Sequence, residues 1–257
     1  MFAFGCSFTE YGWPTWADIL GQSFDYYENW GVAGGGNYLI SSRVLECHHV
    51  NKFTKDDTVL VMYTSIPRID FYTSAWTRNG NIFNSHSSQY ERQWRDNNWS
   101  FTQGFYNTWI AIKQTKLLLD SIGCKYKLMK AFDISPISGH ELQTFQPPST
   151  EQDFYNEYIN DIDSYFGEEP IMLNWLHENS HVSEPYVFKK SVSGDNWVDY
   201  HPTIAHHELW CRTYLSEYYT NQLAPDFIAN NMSFDDQRLV AHHNYNINKN
   251  YGKCLLR

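Results

Sequence analysis

Residues 1–16 read MFAFGCSFTEYGWPTW. Met1 to Phe4 form an apolar run that stops on the small-residue turn Gly5-Cys6-Ser7. Pro14 and Thr15 then lead into WADILGQSF, whose pattern predicts a helix with Thr15 as its cap. A short buried strand, a turn and a helix at the start of a chain point to alternating α/β architecture. They also place Ser7 at the carboxyl end of the first strand.

The alternation continues along the chain. DYYENW (25–30) predicts a second strand, and the glycine loop GVAGGGN leads into a helix over 37–53. TVLVMYT (58–64) is the clearest strand, a β-branched apolar run bounded by Asp56-Asp57 and by Ser65 to Pro67. Residues 65–104 are polar and aperiodic and read as a long excursion. A helix over 108–123 ending on Gly123, a strand over 125–133, a loop over 134–150, a helix over 153–166 and a last helix over 204–223 follow. This order predicts a mostly parallel sheet between helices in one domain, residues 1–225, with an insertion at about 65–104 and an extension over 226–257.

The 257 residues, 42% of them hydrophobic, suffice for a full core. Five cysteines, odd in number and without a CxxC pair, predict reduced thiols. A net charge of −10 argues against nucleic acid as a partner, since such affinity comes largely from Lys and Arg. No apolar run is long enough to span a membrane. Residues 2–5 read as part of the fold and not of a leader, so cytoplasmic synthesis is expected. The 18% aromatic content, with 10 Trp and 19 Tyr, suits contacts with sugar rings or a protein interface, besides core packing.

Ser7, ahead of a helix, is a candidate nucleophile with backbone N–H groups beside it to stabilise an oxyanion. It needs a base, and His201 in VDYHPT, just before the last helix, is the candidate. Asp199 could orient that imidazole, with Asp195 as the alternative acid. The pairs His48-His49, His206-His207 and His242-His243 do not predict a metal site, because adjacent helical residues diverge by about 100°. No cofactor is expected.

GCSFT, NWGVAGGGN and DYHP resemble blocks one, two and five of the SGNH hydrolases, the GDSL esterase/lipase superfamily. The resemblance implies a flavodoxin-like three-layer α/β/α fold and a serine esterase mechanism. It aligns Gly5-Cys6-Ser7-Phe8-Thr9 with the nucleophile block, with Cys6 in place of an acidic residue, and makes Gly34 the oxyanion glycine. Asn37, Thr64, Ser65 and Arg68 complete the oxyanion or substrate-binding set. The third block, normally G-x-N-D, reads MYTSIPRID; a hydroxyl of Thr64 or Ser65, the guanidinium of Arg68, or two backbone N–H groups alone are the replacements for its asparagine. In the fifth block Asp199 stands two residues before His201 instead of three.

The expected activity is therefore hydrolysis of a carboxylic ester, with removal of O-acetyl groups from a glycan the preferred substrate class. The alternatives are a non-catalytic glycan-binding or virion structural module on the same fold, and an O-acyltransferase. The resemblance is to short, leaderless phage and bacterial members, which implies association with the virion if the source is a phage. Acyl group and oligomeric state stay open.

Overall fold

A computed structural model describes residues 1–11, 14–72, 76–81, 97–134, 152–178, 187–190, 196–199 and 201–220. Its central sheet has four strands: β1 (Phe2–Gly5), β2 (Glu28–Asn29), β3 (Thr58–Tyr63) and β6 (Lys125–Lys130). They lie in the order β2-β1-β3-β6, and every pairing is parallel. Every residue of β1 and β3 is buried, which is why both read as continuous apolar runs instead of alternating ones.

Helices α1 (Trp16–Gly21), α2 (Asn37–Asn51) and α3 (Phe101–Ile122) connect these strands in turn. From β1 the chain steps to β2 on one side, then back past β1 to β3 and on to β6. Right-handed crossovers put α1 on one face and α2 and α3 on the other. The packing agrees: α2 lies against α3, and α1 lies against α6 (Ile204–Tyr214). The protein is thus a mixed α/β fold with a mostly parallel central sheet flanked by helices. On the α1 side, Trp175 of α5 (Met172–Glu178) meets Trp210 edge-on at 5.2 Å, and the Cys211 thiol donates to the Trp16 carbonyl at 3.5 Å.

Several boundaries differ from the sequence expectation. α3 starts at Phe101 and not at 108, capped by the Ser100 hydroxyl, which accepts from the Gln103 N–H at 3.1 Å. Phe101, Phe105, Thr108, Ile112, Thr115 and Leu119 form its buried stripe, whose early part Gln103 and Gly104 conceal in the sequence. Within the expected excursion, β4 (Arg68–Tyr72) and β5 (Trp76–Asn81) form an antiparallel pair with a register shift between Arg68 and Asp70. A second pair, β7 (Val187–Lys190) with β8 (Asn196–Asp199), precedes the last helix. α4 spans Gln152–Asp163, and α6 ends at Tyr214, short of 223. The extension at 226–257 and most of the loop at 134–150 lie outside the described residues. Cys6, Cys47, Cys124 and Cys211 are free and buried, whereas Cys254 is not among the described residues. Among the described residues, no helix is long and apolar enough to cross a membrane.

Leu60, wholly buried in β3, and Leu117, 59% exposed on α3, offer a test of this core. Leu60→Ala should cost about 3 kcal/mol in urea denaturation, and Leu117→Ala less than about 0.5 kcal/mol.

Candidate functional site

In open parallel sheets ligands bind beyond the carboxyl ends of the strands, where the strand order reverses. Here that point lies between β1 and β3, because the chain leaves β1 toward β2 and later enters β3 on the other side. The loops that begin there are Cys6 to Thr15 and Thr64 to Pro67, so Ser7, Thr64, Ser65 and Arg68 gather at this end of the sheet.

The first loop is forced back over β1 by a close approach. A Cβ on Gly5 would lie 2.0 Å from Thr9 Oγ1 and 2.9 Å from the Met62 carbonyl oxygen, so only glycine fits. The Cys6 carbonyl then accepts from the N–H groups of Thr9 (2.9 Å) and Glu10 (3.0 Å), making a single helical turn. The N–H groups of Ser7 and Phe8 open this turn without a partner among the described residues, as expected at the start of a turn. Ser7 is 7% exposed, and its hydroxyl has no hydrogen bond among the described residues.

The glycine loop 31–36 lies alongside. Gly31 donates to Asn29 Oδ1 (2.9 Å), Val32 to the Gly5 carbonyl (2.8 Å), Ala33 to Glu10 Oε2 (3.4 Å) and Gly35 to the Val32 carbonyl (2.9 Å). Gly36 donates to both oxygens of Asp70, at 2.9 and 3.0 Å. The Gly34 N–H alone in this loop has no partner among the described residues. Gly34 has φ +80°, as the third residue of the Val32–Gly35 turn, a conformation that favours glycine.

Asp70 of β4 accepts from the N–H of Leu39 as well (3.2 Å), so its carboxylate caps α2 from another element. Burial pushes its pKa up to about 6, against the pull of the Gly36 and Leu39 N–H groups and of Arg68. Arg68 donates through Nη1 to the Gly35 carbonyl (3.4 Å) and sets its guanidinium 5.2 Å from the centre of the Phe132 ring. Its Nε is buried without a hydrogen-bond partner.

Asn37 takes a part the sequence did not disclose. Its Oδ1 accepts from the Thr64 N–H (2.8 Å), while its Nδ2 donates to the Thr64 carbonyl (2.9 Å) and to Thr108 Oγ1 (3.2 Å). Both amide hydrogens are therefore occupied in clamping the end of β3 to α2 and α3. The hydroxyls of Thr64 and Ser65 are buried and unpartnered, as is that of Thr9. Buried polar atoms are rarely left so, and four such atoms around one strand end, counting Arg68 Nε, mark the place where a ligand would satisfy them.

His201 reaches the loop that carries Ser7. Its ring stacks on Tyr11 with centroids 3.7 Å apart and meets Phe8 edge-on at 5.8 Å. No hydrogen bond joins it to Ser7. Asp199 is the last residue of β8, and its side chain, like the whole of Asp195, lies outside the described residues. Next to His201, His207 is buried and held well below the usual histidine range, chiefly by burial and further by His206 and His201. Among the described residues, no cluster of three or more His, Cys, Asp or Glu could hold a metal ion. Compared with family models, curated proteins and solved structures, the chain matches none.

Asp70 provides a pH test of the glycine loop. Its folded pKa of about 6 exceeds the ordinary 3.8, so the folded protein holds this proton more tightly than the unfolded chain. Its contribution to stability is complete below the ordinary value and is lost as pH rises through about 6. Asp70→Asn keeps an oxygen acceptor without the charge. The urea midpoint of the variant should therefore gain on the wild type as pH rises from about 4 to about 6.5 and hold its lead above that. A constant difference would show that burial of the charge does not govern the loop.

Proposed function

We propose that this protein is a serine carboxylic-ester hydrolase of the SGNH type. The observation that carries the reading is the set of unpartnered groups on two loops tied together by the Val32 N–H and the Gly5 carbonyl: the Ser7 hydroxyl and the N–H groups of Ser7 and Gly34. The sheet order β2-β1-β3-β6 also supports a flavodoxin-like arrangement, in which the first, second, third and fourth parallel strands stand 2-1-3-4.

In this reading the Ser7 Oγ attacks the acyl carbon and His201 takes its proton, later giving it to the leaving alcohol. The carbonyl oxygen, now negative, accepts from the N–H groups of Ser7 and Gly34. Water then attacks the acyl-enzyme with His201 as base, and the acid leaves. The bond between base and nucleophile is often long before substrate binds, so the stacking of His201 on Tyr11 is compatible with an unliganded state. Asp199 is the acid that follows from the resemblance. In place of the family's third-block asparagine, the buried hydroxyls of Thr64 and Ser65 and the Arg68 guanidinium are the available donors. One such donor is worth about 3 kcal/mol to the transition state.

An O-acetylated glycan is the preferred substrate class. Tyr106 and Trp109 on α3 stack with centroids 5.7 Å apart, and Tyr158 meets Trp109 edge-on at 4.6 Å, a partly exposed aromatic surface of the kind that packs on sugar rings. The separation of Ser7 from His201 favours one other reading, a glycan-binding or structural module that keeps the fold without the chemistry.

A fluorophosphonate probe separates the two. The hydrolase should be labelled at Ser7, and Ser7→Ala should lose the label and at least about a thousandfold in kcat on a chromogenic acetate ester. Well-folded wild-type protein that neither labels nor turns over would establish the binding module instead.

A further inference from the structure

We infer that the ester this site accepts is acidic, carrying a carboxylate or phosphate group that Arg68 receives edge-on. The inference rests on the esterase reading for its chemistry but on Arg68 for its content. Arg68 follows the end of β3, and its guanidinium lies on Phe132, which is 4.9 Å from Phe8, the neighbour of Ser7. Its Nη1 is taken by the carbonyl of Gly35, the residue after the proposed oxyanion glycine. The guanidinium is thus within two residues' reach of both halves of the site.

The carbonyl of Gly35 occupies one corner of the planar group and leaves the edge formed by Nε and Nη2. That edge presents two parallel N–H donors, the geometry that matches the paired oxygens of a carboxylate or phosphate. Nε is buried and has no hydrogen-bond partner, and Arg68 makes no ion pair among the described residues. The carboxylate of Asp70 lies near and does not meet this need, because it is turned to the N–H groups of Gly36 and Leu39. Asp70 is close enough to feel the charge of Arg68 but makes no hydrogen bond to its Nε, so that donor beside a candidate nucleophile is placed for a ligand's oxygen.

The same strand end carries the unpartnered hydroxyls of Thr64 and Ser65, both buried. They can donate to a third anionic oxygen or to a sugar hydroxyl next to it. A neutral ester would leave the buried Nε–H unpaired. An acidic ester satisfies it, and a site built for such a bond rejects ligands that lack the partner.

The test compares O-acetylated glucose, O-acetylated glucuronate and O-acetylated glucose phosphate as substrates of the wild type, Arg68→Gln and Arg68→Lys. The wild type should favour at least one acidic ester by about tenfold or more in kcat/KM, and which one it favours tells carboxylate from phosphate. Arg68→Gln should abolish that preference, read as the ratio of kcat/KM on acidic and neutral esters, whatever its effect on turnover of the neutral ester alone. Arg68→Lys, which keeps the charge without the fork, should retain part of the preference and serves if the glutamine variant does not fold. Equal rates on acidic and neutral esters by the wild type, or an equal loss on both in the variants, overturns the inference and leaves the esterase reading intact. Should no ester be hydrolysed, equilibrium binding of glucuronate, glucose phosphate and glucose decides. Acid-selective binding lost in Arg68→Gln upholds the Arg68 site without the esterase, and unselective binding or none removes it.

Discussion

The loops at the candidate site depend on one buried carboxylate. Asp18, in the first turn of α1, accepts from the Thr15 N–H at 3.0 Å, the Tyr27 hydroxyl at 3.0 Å and Asn29 Nδ2 at 3.1 Å. Asn29 also donates to the Thr9 carbonyl, and its Oδ1 receives the Gly31 N–H. The Thr15 hydroxyl donates to the same Thr9 carbonyl at 2.5 Å. The turn with Ser7 and the loop with Gly34 are therefore hung on one polar network. Hydrogen bonds to a charged acceptor each contribute roughly 1.5–3 kcal/mol, and a buried carboxylate without them would be costly. The network both satisfies Asp18 and fixes the spacing between the two loops.

A second pair of ties holds the other wall. Asn37 copies a strand's hydrogen bonding onto Thr64, and Asp70 caps the helix that Asn37 begins. One residue thus joins β3 to α2, and the other joins the β4–β5 pair to the glycine loop. Within this frame, side chains and the three loop N–H groups of Ser7, Phe8 and Gly34 stay without a partner among the described residues. A rigid frame around unmet donors is what preorganised recognition requires, because nothing need move to make the bonds.

The elements that were legible in sequence are those whose pattern is local. β1 and β3 are apolar runs, Thr15 precedes α1 as its cap, and Gly123 ends α3 in the left-handed region at φ +72°. What could not be read depends on partners distant in the chain. Asp70 acts on residues 31 and 34 positions away, and Asn37 on one 27 positions away, so neither leaves a local trace. β2 shrinks to two residues since only Glu28 and Asn29 pair with β1, while the aromatic residues around them suit packing as well as pairing. The contacts of Arg68 with Gly35 and Phe132 likewise join residues distant in the chain.

The α1 and α6 layer bears on the chemistry from beneath. His201 stands at the mouth of the site, with His207 near enough to feel its charge. Were His207 to carry a proton at neutral pH, an imidazolium forming on His201 would face a second cation, and its basicity would fall. Burial of His207 prevents this and holds it well below the usual histidine range. The buried layer thus keeps His207 from adding a charge beside His201. Its Tyr11 stack holds the ring in place over the loop of Ser7. In the proposed mechanism, opening a cavity in that layer, even far from Ser7, would let His207 hydrate and titrate, and so weaken His201 as the proposed base without touching it.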